Sequence, residues 1–228
     1  MGCWVFSYAA LTACRPPQAI GGRLSRVQTS TPDKEKTNTL AQVCESLKND
    51  DLDDAREILH SRYPFTPVAK VTRRYNPRDC MRVFFRDGFV DRYAGTQLIH
   101  PGALRLLSVL LPDEFPFHPN WATSKTHFAF WELFPTIDHV VPVTRGGLDN
   151  QSNWVTTSML RNSAKSQWTL DELGWSLIPA SNLSTWDGMT DWFVNYLTGH
   201  PTLQRDHEYL RKWFSATLAV RAEWGNPT

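Results

Sequence analysis

The spacing of apolar residues changes character along the chain, and each change predicts an element. Leu40, Val43, Cys44 and Leu47 follow the one-sided spacing of a helix, and Thr39 with Gln42 three residues on reads as its capping box. Asn49-Asp50-Asp51 interrupts the pattern, and Leu52, Ala55, Ile58 and Leu59 resume it until Pro64. Together they predict a helical hairpin over 38–66, of net negative charge and suited to packing rather than to DNA. A further helix is predicted over 103–111, after which Pro112, Pro116 and Pro119 stop regular structure. The β-prone run Ile137-Asp138-His139-Val140-Val141 ends at Pro142, and a second begins at Asn153 and continues through Thr157. A helix-compatible segment then carries Asn162. This predicts strand, loop, strand, helix, with a loop over 143–152 too long for a tight hairpin. Gly146-Gly147 within it allows positive φ or close backbone approach. Downstream, Thr169-Leu170-Asp171-Glu172 is a second capping box, closed by Gly174. Met189, Trp192, Phe193 and Tyr196 share a helical face, and Pro201 opens a helix carrying Leu203, Leu210, Trp213, Phe214 and Leu218. These aromatic stripes read as core, so 181–228 is predicted to be a C-terminal helical cap.

Composition narrows the function classes. The 228 residues suffice for a sizeable core, and 41% hydrophobic content with ten Trp describes a globular chain. A formal net charge of +1 excludes a globally basic nucleic-acid binder, so any attraction to phosphate must be local. No apolar run is long enough to cross a bilayer. Cys3, Cys14, Cys44 and Cys80 form no Cys-x-x-Cys pair and read as reduced thiols of a cytoplasmic protein. The apolar start of the chain lacks a preceding Lys or Arg, and Phe6 stands where a myristoylation motif wants Ser or Thr. An extension or an upstream start is expected there rather than a working signal. Residues 1–37 as a whole read as a flexible arm.

Candidate chemistry gathers in the second half. Asp138 and Asn162 supply a carboxylate and an amide oxygen, a set that suits a hard cation such as Mg²⁺ with several retained waters. A neutral imidazole at His139 could take a proton from a water attacking phosphorus. Between 68 and 92, Lys70, Arg73, Arg74, Arg78, Arg82, Arg86 and Arg92 outweigh Asp79, Asp87 and Asp91, with Tyr75, Phe84, Phe85, Phe89 and Tyr93 interleaved. That stretch is either the DNA-facing surface, with Arg73, Arg74 and Arg78 as contacts, or a solvated charged face. His118 and His127 lie in a loop-rich aromatic region and read as surface or packing residues.

Asp138-His139, Pro142, Gly146-Gly147, Asn153 and Arg161-Asn162-Ser163-Ala164-Lys165 together form an order that resembles the HNH endonuclease family. The resemblance is strongest over 86–167. It implies an α+β fold in which a ββα-metal core over 67–180 is embedded in a mainly helical single domain. It implies a metal-dependent DNA endonuclease with His139 as general base and one divalent ion, Mg²⁺ or alternatively Mn²⁺, on Asp138 and Asn162. Asn153 resembles the middle Asn of the family, whose side chain braces the loop and orients His139. Arg145 and Lys165 are implied phosphate contacts. The run from Arg86 to Gly95 is similar to the zinc knuckle many members carry, but Asp91 and Ala94 stand at the first pair of cysteine positions. Ser158 and Arg161 stand at the second pair. No thiolate or imidazole is available, so no structural zinc is expected, and an Asp91–Arg161 salt bridge is expected in its place. The competing readings are a non-catalytic DNA-binding module of the same fold, and a partner-directed nuclease subunit of a defence or mobile-element system. DNA is the expected partner and a membrane is not; no protein partner can be read from the residues.

Overall fold

The structure, a computed structural model, describes residues 32–65 and 75–225. Arg73 and Arg74, and most of the N-terminal arm, lie outside the described residues. The described residues fall into two compact units, 32–65 and 75–225.

The first unit is the predicted hairpin, α1 (Pro32–Lys48) against α2 (Leu52–Arg62). Its first helix begins well before Thr39. Thr39 is therefore interior, and its hydroxyl donates to the Glu35 carbonyl (2.9 Å) instead of capping. Val43 and Ala55 are buried, and Asp51 caps α2 by accepting from the Asp54 N–H.

The second unit is α+β. It runs α3 (Pro77–Asp87), α4 (Pro101–Leu110), the short turn α5 (Ala129–Glu132), β1 (Pro135–His139), β2 (Trp154–Ser158) and α6 (Met159–Lys165). There follow α7 (Leu170–Leu173), α8 (Thr190–Gly199), α9 (Pro201–Asp206) and α10 (Glu208–Gly225). The strands pair antiparallel, with Ile137 opposite Thr156 and His139 opposite Trp154. Helix α3 packs on the sheet on one side and on α10 on the other. Its Met81, Val83, Phe84 and Phe85 join Phe89, Leu106, Ile137, Phe193, Leu197, Leu210 and Trp213 in the core. The local signals are conventional. Asn76 caps α3 ahead of Pro77, and Gly88 ends it at φ +66°, where a Cβ would meet the Ser181 carbonyl oxygen at 2.4 Å. The predicted Thr169–Glu172 box is present and Gly174 closes α7. Pro201 opens α9, but His207 separates it from α10, so the single C-terminal helix expected is two.

The described part of the 68–92 stretch shows where its cations and aromatic residues go. Phe84, Phe85, Phe89 and Tyr93 are buried. Arg78 and Arg82 both bond Glu223 of α10, holding its carboxyl down to about 2. Arg86 and Arg92 converge on the fully buried Asp87, whose Oδ2 also accepts the Thr156 N–H (2.7 Å). The Arg92 N–H in turn donates to the Thr156 carbonyl (2.9 Å). These bonds satisfy backbone groups on the outer edge of β2, which a two-stranded sheet would otherwise leave unpaired. The described cations are thus spent on holding helices and sheet together, and Arg78 is an ion-paired residue.

His100 is fully buried. Its Nδ1 accepts the Gly102 N–H (2.9 Å) and the Ala103 N–H (3.3 Å) at the start of α4, and its Nε2–H donates to Thr217 Oγ1 (2.9 Å) on α10. Burial lowers its pKa to about 3. Cys44 and Cys80 are both free, and burial pushes the Cys80 thiol up to about 12. No described helix is long and apolar enough to cross a membrane.

Candidate active site

The site is built at the open end of the sheet. β1 delivers Asp138 and His139 at its last two positions, and α6, entered directly from β2, delivers Asn162. Ser158 caps that helix by accepting the Arg161 N–H (3.1 Å). The Asn162 amide Nδ2 donates to Thr136 Oγ1 (3.0 Å) and the Ile137 carbonyl (3.2 Å), pinning the helix to β1. A cavity of about 270 Å³ is lined by Asp138, His139, Asn162, Pro142, Thr144, Ser166 and Gln167. The structure therefore brings the predicted carboxylate, imidazole and amide together.

The loop between the strands is held by Asn153. Its Oδ1 accepts the Val141 N–H (2.9 Å), and its Nδ2 donates to the Val141 and Leu148 carbonyls (2.8 Å each). The two glycines divide the loop's requirements between them. Gly146 turns the chain at φ +88°, and Gly147 lies so close to Val141 that a Cβ would stand 1.9 Å from its carbonyl oxygen. Asn153 and Gly147 thus fix the segment that leaves His139.

Two residues behave differently from expectation. Lys165 is fully buried, so it cannot meet a phosphate at the surface. Its ammonium donates to the His139 carbonyl (2.7 Å) and to Asp138 Oδ2 (2.9 Å). The same carboxylate oxygen accepts from Tyr93 Oη (2.7 Å), whose pKa is raised by burial and by Asp138. Arg145 is half exposed, reaches Glu172 at 3.4 Å and does not line the cavity.

The expected Asp91–Arg161 bridge is absent among the described residues. Asp91 is buried and its carboxylate is already engaged. Oδ1 accepts from the Tyr93 N–H (2.9 Å), the Ala94 N–H (3.2 Å) and Thr157 Oγ1 (3.1 Å), while Oδ2 accepts the Ser158 N–H (3.0 Å). Arg161 instead lies over the Trp175 ring, 5.0 Å from its centroid. A cavity of about 410 Å³ is bordered by Asp91, Ala94, Ser158 and Arg161. A lone carboxylate accepting N–H and O–H groups from both segments therefore joins the 91–95 turn to the end of β2.

Asp149 was not singled out by the sequence. It stands 2.8 Å from His139 Nε2 and accepts from Trp154 Nε1 (3.0 Å) and Tyr75 Oη (3.3 Å). Burial raises its pKa, but the hydrogen bonds from His139, Trp154 and Tyr75 outweigh that and hold it below the ordinary carboxylate value. Its only sequence signal was a carboxylate in the loop that returns to the partner strand. Every described hydrogen bond of the His139 ring goes to Nε2, which leaves Nδ1 without a described hydrogen bond.

Asp138 and Asn162 line the same cavity and are the residues that could offer oxygens to a divalent ion of the hard class. Asp138 Oδ2 is occupied, which leaves Oδ1, and Asn162 uses its Nδ2, which leaves its amide oxygen. Thr144 Oγ1 is buried at the cavity wall without a hydrogen-bond partner, which marks the space as one that takes a polar guest. Among the described residues no three His, Cys, Asp or Glu side chains form a group that could hold a metal ion. Mg²⁺, which retains waters, accepts a set as small as Asp138 and Asn162. No family model, curated protein or solved structure matches this chain.

Proposed function

We propose that this chain is a metal-dependent DNA endonuclease of the HNH type, hydrolysing phosphodiester bonds at the cavity between β1 and α6. The observation that carries the reading is that Asp138, His139 and Asn162 line one cavity while the imidazole is held from behind through Nε2. His139 takes a proton from water at Nδ1, the water oxygen forms the new bond to phosphorus, and the bond to the 3′ oxygen breaks. Asp138 and Asn162 would hold a Mg²⁺ or Mn²⁺ ion, which would supply charge neutralisation for the phosphate and the departing oxygen. Lys165 and Tyr93 fix one oxygen of Asp138, so the other is presented in one direction. Asn153 holds the backbone that follows His139. Cys44 and Cys80, free among the described residues, accord with action in the cytoplasm.

The test is incubation of purified protein with supercoiled plasmid, with Mg²⁺ or Mn²⁺ and with chelator. Nicked or linear product that appears only with the divalent ion supports the proposal. Intact plasmid under all metal conditions refutes it.

A further inference from the structure

The geometry around His139 carries a second conclusion, resting on the nuclease reading only for its catalytic consequence. Three groups converge on Nε2, namely Asp149 Oδ1 at 2.8 Å, Trp154 Nε1 at 3.1 Å and Tyr75 Oη at 3.3 Å. They make opposite demands. An ionised carboxylate only accepts, so it requires a proton on Nε2; an indole N–H only donates, so bonding to Nε2 requires a lone pair there. The two alternatives put the other ring nitrogen in opposite states. With Nε2–H, Nδ1 carries a lone pair; with Nε2 bare, Nδ1 carries the hydrogen.

We infer that Asp149 is a positioning residue that selects the Nε2–H tautomer of His139 against the pull of the Trp154 indole, leaving the Nδ1 lone pair to act as proton acceptor. The Trp154 N–H is satisfied at the same time, because it reaches Asp149 Oδ1 at 3.0 Å and gives up the imidazole. Tyr75 donates to that oxygen as well (3.3 Å). Three donors on a single oxygen keep the carboxylate ionised and aimed. Asp149 comes from the loop that Asn153 and Gly147 hold, and Trp154 from β2 directly opposite His139 in the register. The orientation of the base is thus written into the hairpin itself. Removing the carboxylate does more than loosen the ring. It hands Nε2 to Trp154, and the resulting Nδ1–H form has no lone pair where one is needed.

Two readouts test this on the full-length protein. Nitrogen-15 NMR of the histidine ring in the metal-free wild type, at a pH where the ring is neutral, should show protonated Nε2 and bare Nδ1. Asp149→Ala should invert that pattern, with amide dispersion reporting that the fold is retained. In steady-state cleavage, Asp149→Ala should lower kcat by about 100-fold or more with KM little changed, within the range a positioned general base contributes. Adding Trp154→Phe to Asp149→Ala removes the competing donor, and should recover part of that loss and abolish the enforced Nδ1–H signature. A wild-type spectrum showing Nδ1–H overturns the inference without any variant, and so does an unchanged tautomer in Asp149→Ala. A wild type that cuts no DNA but shows the Nε2–H form refutes the nuclease reading and leaves the tautomer assignment supported.

Discussion

Replacing Asp91 with Ala tests how the turn before the sheet is fastened to it. The carboxylate is 1% exposed and accepts four hydrogen bonds, from Tyr93 N, Ala94 N, Thr157 Oγ1 and Ser158 N. Truncation strands these donors, except that the Ala94 N–H keeps the Asp91 carbonyl (3.3 Å). Each buried donor left unpaired costs about 1–3 kcal/mol, but the neighbouring cavity lets water reach some of them, so about 3–5 kcal/mol in all is expected. Asp91→Asn, which keeps one acceptor oxygen, should lose about half as much. Chemical denaturation followed by tryptophan fluorescence measures both. Arg161→Ala supplies the second arm, because Arg161 stacks on Trp175 and makes no bond to Asp91. In a double-mutant cycle the two residues should therefore couple by less than about 0.5 kcal/mol. A loss below about 1 kcal/mol for Asp91→Ala would refute the carboxylate as the fastening point. Coupling of several kcal/mol to Arg161 would restore the ion pair that the structure lacks.

The remaining predictions concern other buried groups and the metal. His100 has a folded pKa of about 3 against an unfolded value of about 6.5, so the unfolded chain binds the extra proton between them. Stability is then full above about pH 6.5 and falls as pH drops, by about 2 kcal/mol at pH 5, and His100→Asn should flatten that part of the stability–pH curve. A curve of unchanged slope in that variant contradicts the assignment. Lys165→Met should destabilise by about 3–5 kcal/mol in denaturant titration, since it strands the Asp138 charge. It should leave the salt slope of DNA binding unchanged, because a buried ammonium neutralises no phosphate; a slope reduced by about one refutes that. Asp138→Ala and Asn162→Ala should each weaken Mg²⁺ or Mn²⁺ binding in calorimetry, and unchanged affinity in both removes the proposed ligand set.

The parts of the fold that were legible in the sequence are those written in local chemistry. The β-prone runs around Asp138 and Asn153, the Gly-Gly pair, Pro201 and the Thr169 box act over a few residues, and each falls where its backbone requirement places it. What was illegible depends on distant partners. Lys165 looks like any surface lysine until β1 supplies a carbonyl and a carboxylate. Asp91 and Arg161 have complementary charge, but the turn's own N–H groups reach the carboxylate first. The arginines of α3 and its exit read as either a nucleic-acid face or a solvated one because their carboxylate partners, Glu223 and Asp87, are claimed only after α10 and β2 fold against them. Asp149 shows no periodicity, and its role appears only when the hairpin closes it onto His139. Thr39 shows the opposite failure, in which a sound capping signal is overridden because the helix starts upstream.

The claim that a histidine-based hydrolytic centre operates beside an oxygen-ligated ion is tested most directly by His139→Ala. Its cleavage rate on a labelled DNA duplex is compared with wild type at saturating Mg²⁺ under single-turnover conditions, and its DNA affinity is measured on the same preparation. A general base acts in the transition state rather than in substrate binding. The rate should therefore fall by at least about 100-fold with affinity unchanged within a factor of two or so. Cleavage by the variant at the wild-type rate would contradict it.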